Sequence, residues 1–258
     1  MISKRIILKS LDDAIWKCGQ RLTLNKSILK TFDEFSKSIN GLNYEKAIFV
    51  DDAGKILGEK KGDAHSVPND DDLLERLFEK NDNKPLHINH NHPIRYGYWH
   101  PNCLSSNDIT SLFKKSDNGD YFFKSITMED GFTGMRMTLV RGDNFKEDDI
   151  EKINSLDFQV IDNLRSGFEF ESYDIQRNTF KELWEKRSEG LVPDSPEFIK
   201  VLKECNIEAT RKALESEGYY DKLKKAQEEL RKLNCKLTIS INSDNSWYDS
   251  DEEKKAFY

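Results

Sequence analysis

A chain of 258 residues, 36% of them apolar, is long enough to bury one catalytic-sized core with additions around it. Its formal net charge of −7 argues against a nucleic-acid partner, which needs a basic face able to displace phosphate counterions, and no apolar run of about 18 residues proposes a membrane span. Cys18, Cys103, Cys205 and Cys235 are dispersed without a Cys-x-x-Cys pair, so neither a zinc ribbon nor a disulfide scaffold is indicated; with no signal-peptide h-region after Met1, the expected compartment is the cytoplasm.

Residues 1 to 22 are weakly patterned, with Ile6-Ile7-Leu8 as a short strand and Leu11 to Cys18 as a helical turn or two. Leu24, Ile28, Phe32, Phe35 and Ile39 then recur at helical spacing and stop before Gly41, a suitable C-terminal cap. Lys46 to Val50 and Lys55 to Gly58 flank the turn-forming Asp51-Asp52-Ala53-Gly54 and predict a hairpin. Asn69 to Asp72 starts a helix that carries Leu73, Leu74, Leu77 and Phe78 on one face. Beyond the histidine-rich stretch that follows, Gly134 to Val140 alternates as a strand, and Phe145 to Phe168 has the apolar spacing of one or two helices. From Tyr173 the pattern is helical: Phe180, Leu183 and Trp184 mark one helix, Ser195-Pro196-Glu197 opens another, and Leu223, Ala226, Leu230 and Leu233 stripe the last. A packing face against the parent domain is the expected use of that stripe. Lys236 to Ile241 has a strand pattern, and the acidic Ser243 to Tyr258 is expected to be disordered.

The chemistry lies between Leu86 and Ile109, LHINHNHPIRYGYWHPNCLSSNDI. Alternation from Leu86 to His90 predicts a strand, and its period of two puts His90 and His92 on one side and His87 on the other. Pro93 ends the ladder. Ser105-Ser106-Asn107-Asp108 then opens a helix with Ile109, Leu112 and Phe113 on its apolar face, so that Asp108 sits at the helix start, facing back toward the histidines. Two imidazoles and a carboxylate, with a fourth position left to water, form the ligand set of a catalytic zinc site. His65 and His100 are expected in solvent or packing roles. Other metal classes fail on spacing. Amidohydrolase-type enzymes need further histidines downstream, a zinc deaminase needs Cys-x-x-Cys, zincins need His-Glu-x-x-His, and HNH nucleases do not place their residues side by side as in His90-Asn91-His92.

His90-x-His92-Pro93, followed by Ser105-x-x-Asp108 and preceded by Glu45 at the head of a strand, resembles the JAB/JAMM (MPN+) zinc metalloprotease domain, and in particular its phage, mobile-element and toxin-system subgroup. That resemblance implies an α/β fold, a mixed β-sheet packed between helices. The implied organisation is an N-terminal helical extension over 1–42, the metalloprotease domain over 43–170, a helical C-terminal extension over 171–242 and the tail over 243–258. It also implies a Zn2+ cofactor on His90, His92 and Asp108, Glu45 as general base, and Ser105 as donor to the developing oxyanion. For Ser105 an N-cap role stands beside the catalytic one. The implied reaction is hydrolysis of a peptide or isopeptide bond in a protein or peptide substrate. Ubiquitin-like conjugates, a phage or mobile-element protein and a toxin target are all compatible. Some members of the superfamily have lost the metal and act as binding scaffolds; retention of all four residues favours the enzyme.

The interval from His92 to Asp108 is longer than is usual in that family. Its residues Ile94 to Leu104 carry Tyr96, Tyr98 and Trp99 beside the ligands, which makes these rings candidates for the substrate cleft, with packing over the core edge as the competing use.

Overall fold

The computed structural model describes residues 5–7, 24–39, 42, 44–63, 66–67, 70–92, 104–130, 135–142, 173–193, 195–214 and 216–242. The expectations for Leu11 to Cys18, for the aromatic segment with Tyr96, Tyr98 and Trp99, for Phe145 to Phe168, for the tail, and for His65 and His100 lie outside these residues. In chain order the elements are β1 (Arg5–Ile7), α1 (Lys26–Ser38), β2 (Lys46–Val50), β3 (Ile56–Lys61), α2 (Asp71–Lys80), β4 (Leu86–His92) and α3 (Ser106–Ser111). There follow β5 (Phe123–Asp130), β6 (Met135–Arg141), α4 (Tyr173–Arg187), α5 (Pro196–Leu214), α6 (Glu217–Lys232) and β7 (Cys235–Asn242). The protein is α/β. The strands form one sheet of order β1-β7-β6-β5-β4-β2-β3, antiparallel throughout except for the parallel pair β4 and β5. Among the described residues no helix is long and apolar enough to cross a membrane.

Local chemistry accounts for the first elements. The Asn25 side chain accepts from the Ile28 amide at 3.0 Å and caps α1, whose Ile28, Phe32 and Phe35 pack with Ile39, Ile48 and Val50. The β2–β3 turn is held by the Asp51 carboxylate, which accepts from the amides of Ala53 and Lys55. Gly54 is required there twice over: its φ is 82°, and a Cβ would stand 2.6 Å from the Ser27 carbonyl oxygen. Asp70 caps α2 through Leu73, and Leu74, Leu77 and Phe78 bury the inner face of that helix.

The two faces of the sheet differ in kind. One is the main apolar core, in which Ala47, Phe49, Ile126, Met128, Met137, Leu139, Leu237 and Ile239 meet α2, α3 and the Leu223, Ala226, Leu230 and Leu233 stripe of α6. The other is buried but polar along its centre. His87, Asn89, Asn91, Ser125, Thr127, Glu129, Arg136 and Thr138 are all buried, and strand alternation assigns them to that face. β5 escapes sequence analysis for this reason, because Ser125, Thr127 and Glu129 resemble a solvated face and are not one. The C-terminal segment is also more than helical: β7 enters the sheet between β1 and β6, while α4 and α5 form a satellite cluster around Phe180, Trp184, Cys205 and Ala209.

His87, on the polar face, ties the β2–β3 turn to the sheet. Its Nε2 lies 2.9 Å from Asp52 Oδ1 and its Nδ1 2.8 Å from the Ser125 hydroxyl, so a ring donating to the carboxylate accepts from the serine. The hydrogen bond from His87 holds the Asp52 carboxyl below its ordinary value of 3.8, against a smaller opposing effect of partial burial. A depressed carboxyl stabilises the fold fully above its unfolded pKa, and that contribution disappears as pH falls through the lowered native value. Asp52→Asn is therefore expected to cost no more than about 1 kcal/mol at neutral pH, given the exposure of this side chain, and almost nothing in strong acid. Urea titrations of both proteins at the two pH values check this.

Candidate metal centre

β4 carries two of the candidate ligands to the carboxyl end of the parallel pair. His90 and His92 stand on the apolar face of the sheet, and their Nε2 atoms converge to 3.2 Å. α3 supplies the third. Asp108 Oδ1 is 3.1 Å from His90 Nε2, and Asp108 Oδ2 is 3.7 Å from His92 Nε2. One donor atom from each of the three residues fits within 4.8 Å of the others. Ligands at about 2.0–2.1 Å in a tetrahedron stand about 3.3 Å apart; the His90–His92 and His90–Asp108 separations are close to that edge, while the longer approach to His92 is made through the other carboxylate oxygen.

Asp108 is placed by helix chemistry. Ser105 is the N-cap of α3: its hydroxyl accepts from the Asp108 amide at 3.2 Å and donates to Asp108 Oδ2 at 2.7 Å, while its own amide donates to the same oxygen at 2.6 Å. This capping box engages Oδ2, which also lies toward His92, while Oδ1 faces His90. Burial alone would raise the Asp108 carboxyl, but the neighbouring His90, His92 and Ser105 outweigh it and hold the group well below the usual carboxylate range. For His90 burial favours the neutral ring, and the Asp108 carboxylate, then Glu45, reverse the balance and raise its proton affinity. The Thr127 backbone acts on the ring in the same sense, although the buried Nδ1 makes no hydrogen bond of ordinary geometry.

Glu45 arrives by strand pairing. Ala47 pairs with His90 in the antiparallel β2–β4 ladder, so Glu45, two residues earlier, falls at the level of His92 on the same face. It is 6% exposed. Toward β3 its amide donates to the Asp63 carbonyl at 2.6 Å and its carbonyl accepts from Gly62 at 2.8 Å. Toward β4 the Asn91 side chain bonds the backbone on either side of it, at Tyr44 and Lys46. The site thus brings together His90, His92, Asp108, Ser105 and Glu45, and leaves His87 on the opposite face. Asp130, buried and the parallel partner of His92, borders the site as well. Its position is legible only once β4 and β5 are known to be neighbours.

Comparison with known proteins finds no match to this chain among family models, curated proteins or solved structures.

Proposed function

We propose that the chain is a JAMM-type zinc-dependent hydrolase that cleaves a peptide or isopeptide bond. The observation that carries this reading is the convergence of His90, His92 and Asp108, whose donor atoms all lie within 4.8 Å of one another, with buried Glu45 on the same face of the sheet at the level of His92. His90, His92 and Asp108 would hold the zinc ion, which would supply Lewis acidity for activating a water. Glu45 then takes the proton of the attacking water and returns it to the leaving amine, which requires an acid that is not itself a ligand. Ser105 orders the Asp108 ligand; to serve the oxyanion its hydroxyl proton turns from Asp108 toward the substrate carbonyl.

Elemental analysis of the purified protein tests the reading. About one zinc per chain is expected, and its loss is expected in the His90→Ala/His92→Ala double variant. A wild-type chain that takes up no zinc, or a double variant that keeps it, overturns the proposal and leaves a binding scaffold.

A further inference from the structure

Asn91 lies between the two histidines but points to the other face of the sheet, where it is fully buried. Regular pairing of β2 with β4 ends at Ala47 and His90. Beyond that point the carboxamide of Asn91 replaces the ladder: Oδ1 accepts from the Lys46 amide at 2.7 Å, and Nδ2 donates to the Tyr44 carbonyl at 3.1 Å. These two backbone groups flank Glu45. With Gly62 and Asp63 bonding Glu45 itself from the other side, the residue is held on both edges by four hydrogen bonds.

We propose that Asn91 is a positioning residue: a single buried carboxamide, rising from between two candidate ligands, sets the distance between the Glu45 carboxylate and the histidine pair. The side chain is suited to this because it presents one donor and one acceptor in a plane, matching one carbonyl and one amide two residues apart. Leucine offers neither group, aspartate lacks the donor, and glutamine is a methylene too long for the same reach. Movement of Glu45 by about 1 Å costs a proton-transfer step about a hundredfold, although Asn91 touches no reacting atom.

The catalytic consequence rests on the hydrolase reading, whereas the clamp itself does not, and two measurements separate them. In the metal-free protein, amide hydrogen exchange at Lys46 is expected to accelerate at least tenfold in Asn91→Ala, with exchange at Phe49 in the same strand unchanged. Unchanged protection at Lys46, or equal acceleration at both amides, overturns the clamp. In the zinc-loaded protein, Asn91→Ala is expected to lower kcat about tenfold to a hundredfold at unchanged KM and unchanged zinc content, and to add no further loss to the residual rate of Glu45→Gln. An equal further loss in that background overturns the positioning role. A wild-type chain without zinc or hydrolysis ends the hydrolase reading instead, and the exchange experiment still decides the clamp.

Discussion

Replacing Glu45 with glutamine is expected to abolish hydrolysis while leaving both zinc and fold in place. The two side chains have the same shape, and the backbone at this position is held by Gly62 and Asp63 on one side and by Asn91 on the other, so the amide occupies the place of the carboxylate. What changes is the ability to take a proton. General-base catalysis contributes about 10²–10⁴-fold, and a loss of that size in kcat is the expected result. Zinc content, measured in the same preparation, is expected to stay at the wild-type level because the proposed ligands are His90, His92 and Asp108. Loss of the metal in this variant instead makes Glu45 a ligand. Retained hydrolysis moves the base elsewhere, and buried Asp130 beside His92 becomes the next residue to replace.

The largest effect on stability is expected at Arg136, on the opposite face of the sheet from the candidate ligands. Its Nε donates to Glu129 Oε1 at 2.5 Å, and its Nη2 reaches Asp33 Oδ1 at 2.8 Å and the Ser36 hydroxyl at 2.9 Å. Asn89 adds a donor to the same Glu129 oxygen at 3.1 Å. Burial opposes the charge on Arg136, but Glu129 and Asp33 more than restore it. Glu129 is 0% exposed, so Arg136→Ala strands a carboxylate inside the protein as well as opening a cavity. Breaking one partner of such a pair costs about 3–5 kcal/mol, a large part of a typical domain's stability. A urea midpoint lowered accordingly checks this. Arg136→Met combined with Glu129→Leu is expected to recover most of the loss, because no buried charge is then left over. A single variant as stable as the parent excludes the network as the fastening between α1 and the sheet.

The candidate metal ligands are legible in the sequence because local rules place them. Strand period two sets His90 beside His92, and the Ser105-x-x-Asp108 capping box aims the carboxylate. Glu45 is a different case. Nothing around it distinguishes it from the other acids, and its place is decided by the pairing of β2 with β4, so only the resemblance singled it out. Asn91 and Asp130 depend still more on long-range order, one on where the β2–β4 ladder stops and the other on the parallel neighbour β5. β5 itself is hidden in the sequence because a buried polar face has the alternation of an exposed one. Ser105 was readable in two ways, and the structure shows the capping role, with its hydroxyl proton on Asp108.

The position of β7 has a consequence for how the protein is made. β6 is buried along all seven of its residues, yet one of its edges is satisfied only by β7, which leaves the ribosome after the whole of α4, α5 and α6. Until Cys235–Asn242 is paired, that edge of β6 stays open, with β5 between it and the strand of the candidate ligands, and β1, the first of the described strands, lacks its partner β7. Such an edge is a template for pairing with other chains. A chain stopped within α6 is therefore expected to keep this edge open and to aggregate, although every residue of the candidate metal centre has already been made.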